Sequence, residues 1–242
     1  MRRSERVGRP GGSANNKYRE LHGRWWRRLR LRALLVTGPM MLLGLLGSHL
    51  PGLWRWGAGA LFGGALAILM DVRDTPPAYI EHWRQGADGE RWTAKQLKKL
   101  DPNLWHVRHD LQSDKGNIDH LVIGPGGVFL LDSKNWFGDV TVEAGAATVT
   151  ARDDPDTAWT WTKLNRTLKA ASAANSTALT RMTGRREWIT PVVVVWAPFE
   201  QRCVESDGVV YVKGDALTQW LNSRVPRLTP EDAKAIAAPL GS

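Results

Sequence analysis

The sequence predicts an α/β fold, a mixed β-sheet flanked by helices, preceded at the N-terminus by two apolar helices. Three observations carry this. Strand-like and helix-like segments alternate from Asp88 to the C-terminus, the pattern of a sheet covered by helices. Segment 189–196 (ITPVVVVW) is continuously apolar and β-branched, as a strand buried on both faces must be. Two apolar runs, 33–50 and 53–70, contain between them a single charged residue, Arg55.

Those two runs come first in the chain. Each is close to the minimum length for crossing a hydrocarbon layer about 30 Å thick at about 1.5 Å per residue. The second holds Gly57, Gly59, Gly63 and Gly64, which are poor in a soluble helix but let helices pack closely in lipid. Pro51-Gly52 makes the turn, and Trp25, Trp26, Trp54 and Trp56 stand where interfacial aromatics belong. The expectation is a two-helix transmembrane hairpin over 33–71. A secretory signal peptide shares the basic-then-apolar layout, but no A-x-A site precedes the second run. A buried soluble hairpin is the other alternative, since spans this short also occur as core helices.

Charge fixes the orientation. The net charge is +9, and residues 1–32 alone hold eleven Lys or Arg against Glu5 and Glu20. The remaining chain has 22 basic and 22 acidic residues and is neutral. The basic arm, read as flexible, is expected to stay cytoplasmic against anionic lipid. Two spans in a cell (inner) membrane would then leave both termini and the C-terminal domain cytoplasmic. Self-association through the glycine-rich spans stays open. A neutral domain gives no electrostatic signal for nucleic acid. The single cysteine, Cys203, rules out an intrachain disulfide and favours a reducing compartment.

After a linker over 72–87, stiffened by Pro76-Pro77, a helix is expected from the N-cap residue Asp88 to about Leu100, stopped by Asp101-Pro102. Strands follow at 105–111, 118–124 and 127–132, the last two joined by Gly-Pro-Gly-Gly. A hairpin at 140–143 and 147–151 and a long Ala/Thr-rich helix over 159–182 come next. Strands at 189–196 and 209–213 and helices near 216–222 and 230–238 close the domain, 88–242.

The segment IDHLVIGPGGVFLLDSKNW, 118–136, carries the chemistry. If its strands pair symmetrically about Pro125-Gly126, Leu121 faces Leu130 and Asp119 faces Asp132. Side-chain alternation then puts Lys134 on the face of Asp132. Like charges directly across a ladder destabilise by up to about 1 kcal/mol, so two carboxylates at the ends of apolar strands call for a cation. Hard oxygen ligands suit Mg²⁺ better than zinc, and Lys134 is placed to meet charge developing on a phosphate.

Asp119, a hairpin turn and Asp132-Ser133-Lys134 resemble the D…(D/E)-x-K signature of PD-(D/E)XK nucleases. Gly89-Glu90 opening a helix, His109-Asp110-Leu111, Ile118-Asp119-His120, Gly124-Pro125-x-Gly127, Lys134-Asn135 and Gly138 fall in the order of a narrower family, the nuclease-related domain, known as NERD. The resemblance covers about 88–196. It implies a restriction-endonuclease-like fold and a Mg²⁺- (or Mn²⁺-) dependent nuclease acting on nucleic acid, in this family DNA. It also implies a site of Glu90, Asp119, Asp132 and Lys134, the three carboxylates holding the metal. Asp132 stands where the family often has Glu. The long helix often supplies a Gln or Lys; Lys163, Asn165 and Lys169 are available, and Lys169 is the expected counterpart.

Each of these residues has a plainer reading. Asp232-Ala233-Lys234 repeats the D-x-K pattern but follows Thr229-Pro230-Glu231, a helix start, and is read as structural. Glu90 suits a helix first turn for dipole reasons alone, although it shares the inward face of Leu97. A strand-end lysine such as Lys134 also occurs as a snorkelling side chain. His120 should point away from Asp119, so packing is the better reading; His109 fits core packing or support of the site. Trp136 reads as a packing residue. Besides a membrane-anchored nuclease, two alternatives remain: a catalytically inactive module of the same fold that binds nucleic acid or a protein partner, and a membrane scaffold that docks partners.

Overall fold

The computed structural model describes residues 10–47, 49, 51–74, 77–113 and 116–240; the arm's first nine residues, and the centre of the SDKGN loop, lie outside them. The chain divides into two compact units. Asn15–Arg84 form one, and Gln85–Ser242 with Met1–Ala14 form the other.

In the first unit, α1 (Gly12–Gly47) and α2 (Leu53–Asp74) are helices. The basic stretch expected to be flexible is helical from residue 12, where Glu20 pairs with Lys17 at 3.3 Å and Arg24 at 2.6 Å. Such i,i+3 and i,i+4 pairs support a helix. Small residues bring α1 and α2 together: a Cβ at Gly44 would lie 2.9 Å from the Ala58 carbonyl oxygen, and one at Gly47 2.8 Å from the Ala58 Cβ. By length and composition α1 is long and apolar enough to cross a membrane, and among the described residues it is the one helix that is. Leu34, Leu35, Leu42 and Leu46 on it are more than half exposed. This corrects the expected two-span hairpin to one candidate span. The second run does form a helix, but Arg55 and four glycines dilute its apolar content.

In the second unit, α3 (Ala78–Leu97, which begins in the first unit) leads into β1 (His106–Ser113), β2 (Gly116–Gly124) and β3 (Gly127–Lys134). A small antiparallel sheet follows: β4 (Asp139–Glu143), β5 (Ala146–Thr150) and β6 (Ala158–Trp161). Then come α4 (Leu164–Thr183), β7 (Ile189–Val195), β8 (Cys203–Ser206), β9 (Val209–Lys213), a short 3₁₀ turn, α5 (Leu217–Asn222) and α6 (Pro230–Ala237).

The main sheet runs β1-β2-β3-β7-β9-β8, antiparallel at both edges and parallel where β3, β7 and β9 meet. It is the mixed sheet flanked by helices that the sequence predicts. One face packs Leu121, Leu130, Val193 and Tyr211 against α4 and α6; the other packs Val122, Leu131, Val194 and Val212 against α3 and α5. The period-2 alternation of each strand sorts its residues between these two cores. Two helix boundaries depart from expectation. The helix predicted from Asp88 begins ten residues earlier, at Ala78. The one predicted from Trp159 begins at Leu164, because 158–161 add a third strand to the small sheet. The C-terminus of α4 is set by Gly184 at φ 71, whose N–H reaches the Thr180 carbonyl, as in left-handed helix caps.

Candidate active site

The β2–β3 hairpin folds in the register predicted from its turn. Gly124 pairs with Gly127, Ile123 with Val128, Leu121 with Leu130 and His120 with Leu131, so Asp119 and Asp132 come next, opposite one another. The Asp119 Oδ2 accepts a hydrogen bond from the Ser133 N–H at 2.9 Å. Lys134 donates from Nζ to Asp132 Oδ1 at 2.9 Å and lies 2.8 Å from Oδ2. The alternation that puts Lys134 on the face of Asp132 therefore makes this ion pair.

Glu90 joins from α3. It is only 7% exposed, on the same inward side as Leu97. Gly89 permits the approach, since a Cβ there would stand 3.2 Å from the Asn135 Cβ. Two of the motif segments, Gly89-Glu90 and Lys134-Asn135, thus meet in space. Thr93, one turn further on, ties the helix to the sheet. Its hydroxyl donates to the Gly89 carbonyl (3.0 Å) and accepts from Ser133 Oγ (2.8 Å) and Trp196 Nε1 (2.8 Å).

Electrostatics shows how crowded these acids are. Burial, then Asp110, then Asp132 push the Glu90 carboxyl up to about 7, while a backbone hydrogen bond from Gly11 and the charge of Lys134 pull it back. Burial raises Asp119 well above the carboxylate range, helped by Asp132 and Glu90 and opposed by Lys134 and the Ser133 N–H. For Lys134, burial acts downward, but Asp132, Asp119 and Glu90 outweigh it and raise the amine. Glu90 and Asp119 are thus penalised for being charged in this cluster, and the lysine is held protonated.

Glu90, Asp119, Asp132 and Lys134, expected from sequence, are therefore brought together. Lys169 is placed elsewhere: it pairs with Asp207 at 2.7 Å, at the β8–β9 turn. Asn165, also on α4, is buried; it donates to the Ser206 carbonyl at 2.8 Å and accepts from the Tyr211 hydroxyl. Lys163 is exposed at the start of that helix. Tyr211 lies two strands from Asp132 in the same row, through Val193. Burial, then Asp132 and Asp207, push its phenol up to about 12.

Asp110 and Thr93 were not expected at the site. Asp110 is placed only by the β1–β2 register, which the sequence leaves open. His109 pairs with His120 and Leu111 with Ile118, which brackets Asp110 at the level of Asp119 without pairing the two. Thr93 gave no signal, since a threonine inside a helix has no spacing that marks it. The plainer readings also hold where they were preferred. His120 is fully buried against His109, with Nδ1 atoms 2.7 Å apart. Trp136 packs on the core beside Trp161. Thr229 and Asp232 form a capping box at the start of α6, so the second D-x-K is structural. Cys203 begins β8.

Among the described residues no three His, Cys, Asp or Glu side chains stand in ready metal-binding geometry, because Lys134 engages Asp132 and the Ser133 N–H engages Asp119. The donor set nevertheless fits a hard cation. Among the described residues, buried oxygens of Glu90 (Oε2) and Asp110 (Oδ1) have no hydrogen-bond partner, Asp132 Oδ2 meets only the Lys134 ammonium, and buried polar atoms are rarely left unpartnered. A divalent ion with oxygen ligands would satisfy them and relieve the repulsion.

Compared with known families, residues 85–196 match the one described as Nuclease-related domain. An uncharacterized protein of Bacillus anthracis is 32% identical over 78 residues, covering 30% of this chain and 36% of that protein. The chain thus spans about a third of the length of the curated relative it matches. No solved structure matches it. The matched span takes in Glu90, Asp119, Asp132 and Lys134 with the helix and hairpin that carry them, and residues 85–196 are a nuclease-related (NERD) domain.

Proposed function

We propose that this domain hydrolyses phosphodiester bonds in nucleic acid, in the first instance DNA, with Mg²⁺ or Mn²⁺ held by Glu90, Asp119 and Asp132. The observation that carries the reading is the convergence of the buried Glu90 and the partly buried Asp119 and Asp132 with Lys134, just beyond the β2–β3 hairpin pairing. The ion, when bound, would polarise the scissile phosphate. Asp132 holds and orients the Lys134 ammonium, which stays protonated at neutral pH. It is placed to meet negative charge as it develops on the phosphate. The Ser133 N–H keeps Asp119 pointed into the cluster. Lys169 would have to leave Asp207 to take part.

We also propose that the apolar part of α1 anchors the chain in a cell membrane, with the domain cytoplasmic. The basic residues ahead of it on α1 would then lie at the membrane boundary. A cavity of about 440 Å³ lined by Arg24, Arg28, Trp25 and Tyr79 suits an anionic lipid headgroup at that boundary.

Calorimetric titration of the full chain in detergent with Mg²⁺ or Mn²⁺, with DNA and RNA cleavage measured on the same samples, tests the enzyme reading. Saturable binding and ion-dependent cleavage, both lost in Asp119→Asn and Asp132→Asn, are expected. Binding without cleavage of either nucleic acid would favour the inactive binding module, a reading that the neutral charge of the chain beyond residue 32 supports. No binding by the folded protein would overturn the metal site.

A further inference from the structure

The small sheet leaves two tryptophans half open to solvent. Trp159 and Trp161 on β6 stand directly across from Val149 and Ala147 of β5, which are buried in the core that α4 covers. Residues opposite one another on a ladder share a face, so both indoles belong to the inward face of this sheet. They are nonetheless 39% and 43% exposed, because β6 is its edge strand. The Trp161 ring lies 6.0 Å from that of Trp136, two residues beyond Lys134. Trp136 packs on the sheet face that carries Leu130 and hence, by alternation, Asp132 and Lys134. An open aromatic shelf thus adjoins the carboxylate cluster.

Resting on the nuclease reading above, we infer that Trp159 and Trp161 form a stacking platform for the bases of single-stranded nucleic acid, so that the domain takes an unpaired strand rather than a duplex. Alternate residues on a β-strand are about 6.7 Å apart, twice the base repeat of about 3.4 Å along a stacked strand. A duplex keeps its base faces covered by their neighbours, whereas an unpaired strand can splay its bases and lay one on each ring. Such stacking needs no particular base, and it supplies affinity that a chain neutral beyond residue 32 does not draw from net charge. Cations for the backbone stand beside the shelf. Lys163, two residues after Trp161, and Arg166, in the first turn of α4, are exposed, and among the described residues neither is ion-paired, whereas Lys169 is held by Asp207. The acids of the β5–β6 connection, Asp153, Asp154 and Asp156, precede Ala158 and so stand at the other end of β6. The phosphates therefore run past the Trp161–Lys163 end, the end in contact with Trp136.

The test is irradiation of the full chain, in detergent and EDTA, with oligo(dT) carrying 5-iodouracil, followed by peptide mapping of the adducts. Anisotropy measures the affinity for oligo(dT), and for its duplex with oligo(dA), in the wild type, Trp159→Ala, Trp161→Ala and Trp161→Phe. Adducts at Trp159 or Trp161 are expected, with the single strand bound more tightly than the duplex. Each Ala variant should lose at least about fivefold in single-strand affinity. Trp161→Phe should recover most of it, since phenylalanine keeps an aromatic face toward the base and toward Trp136. Adducts confined to other residues, the basic arm included, or equal single-strand affinity in all four proteins, overturn this inference. The crosslink is read on the wild type and does not depend on how the variants fold. Mn²⁺-dependent cleavage by the same wild-type preparation judges the proposed function separately. Cleavage that persists with no adduct at either tryptophan leaves that function standing, and a wild type that neither binds nor cleaves overturns both.

Discussion

The His109–His120 contact shows what a single residue pair costs and gains. Burial, then His109, push the His120 imidazole down to about 3, with the Glu90 backbone pulling the other way. His109 is lowered too, by burial first and then by Lys98 and Arg108. Both rings are therefore neutral in the folded protein, one nitrogen donating to the other. A histidine whose folded value lies below its unfolded one contributes stability present above about 6.5. That stability is lost as pH falls toward about 3. Between pH 7.5 and pH 5 the His120 contribution to the unfolding free energy should drop by about 2 kcal/mol, while the raised Glu90 and Asp119 carboxyls act in the opposite direction; urea titration of the wild type and His120→Gln at the two pH values isolates it as the change in their difference. A histidine pair packed into a sheet was legible as far as its face, because His120 alternates with Asp119. Its partner was not, because the β1–β2 register passes through a loop whose length the sequence leaves open. The same gap hid Asp110.

Among the elements, α3 and the β2–β3 hairpin matter most, because the site exists only where they meet. The hairpin was fully legible, since Gly124-Pro125-Gly126-Gly127 centres the count and every pair follows. The helix was legible in its inward face but not in its start, which lies at Ala78 in a stretch with no capping residue just before it. Thr93 carries the join, taking hydrogen bonds from Ser133 and Trp196 while donating within its own helix. Thr93→Val keeps the shape and leaves two buried donors without an acceptor, a loss of about 2 kcal/mol. It should also weaken Mn²⁺ binding by about tenfold, because Glu90 lies on the helix that Thr93 fixes. Denaturant unfolding and calorimetry on one preparation separate the two effects: lowered stability with unchanged affinity would mean that Thr93 only supports packing. Lys169 was misplaced for a related reason. Helical spacing gives the face a side chain lies on, but the β8–β9 turn that supplies Asp207 is remote in sequence.

For the whole molecule, the division of charge and apolarity along the chain is the dominant fact. Basic residues occupy the first half of α1, and its second half is apolar with leucines exposed. Leu42→Arg together with Leu46→Arg should release the protein from membranes, since each charge near a span's centre costs about 2.5–3.5 kcal/mol. Recovery in the supernatant after an alkaline carbonate wash measures this; retention in the pellet would point to another anchor. The contact between Gly11 and Glu90 bears on how such a protein is to be handled. Trimming the chain ahead of the domain to gain solubility would also strip the amide that meets this carboxylate, along with the buried Ala14. A shortened preparation would then report on an altered carboxylate, with ion affinity and pH response that differ from those of the intact protein.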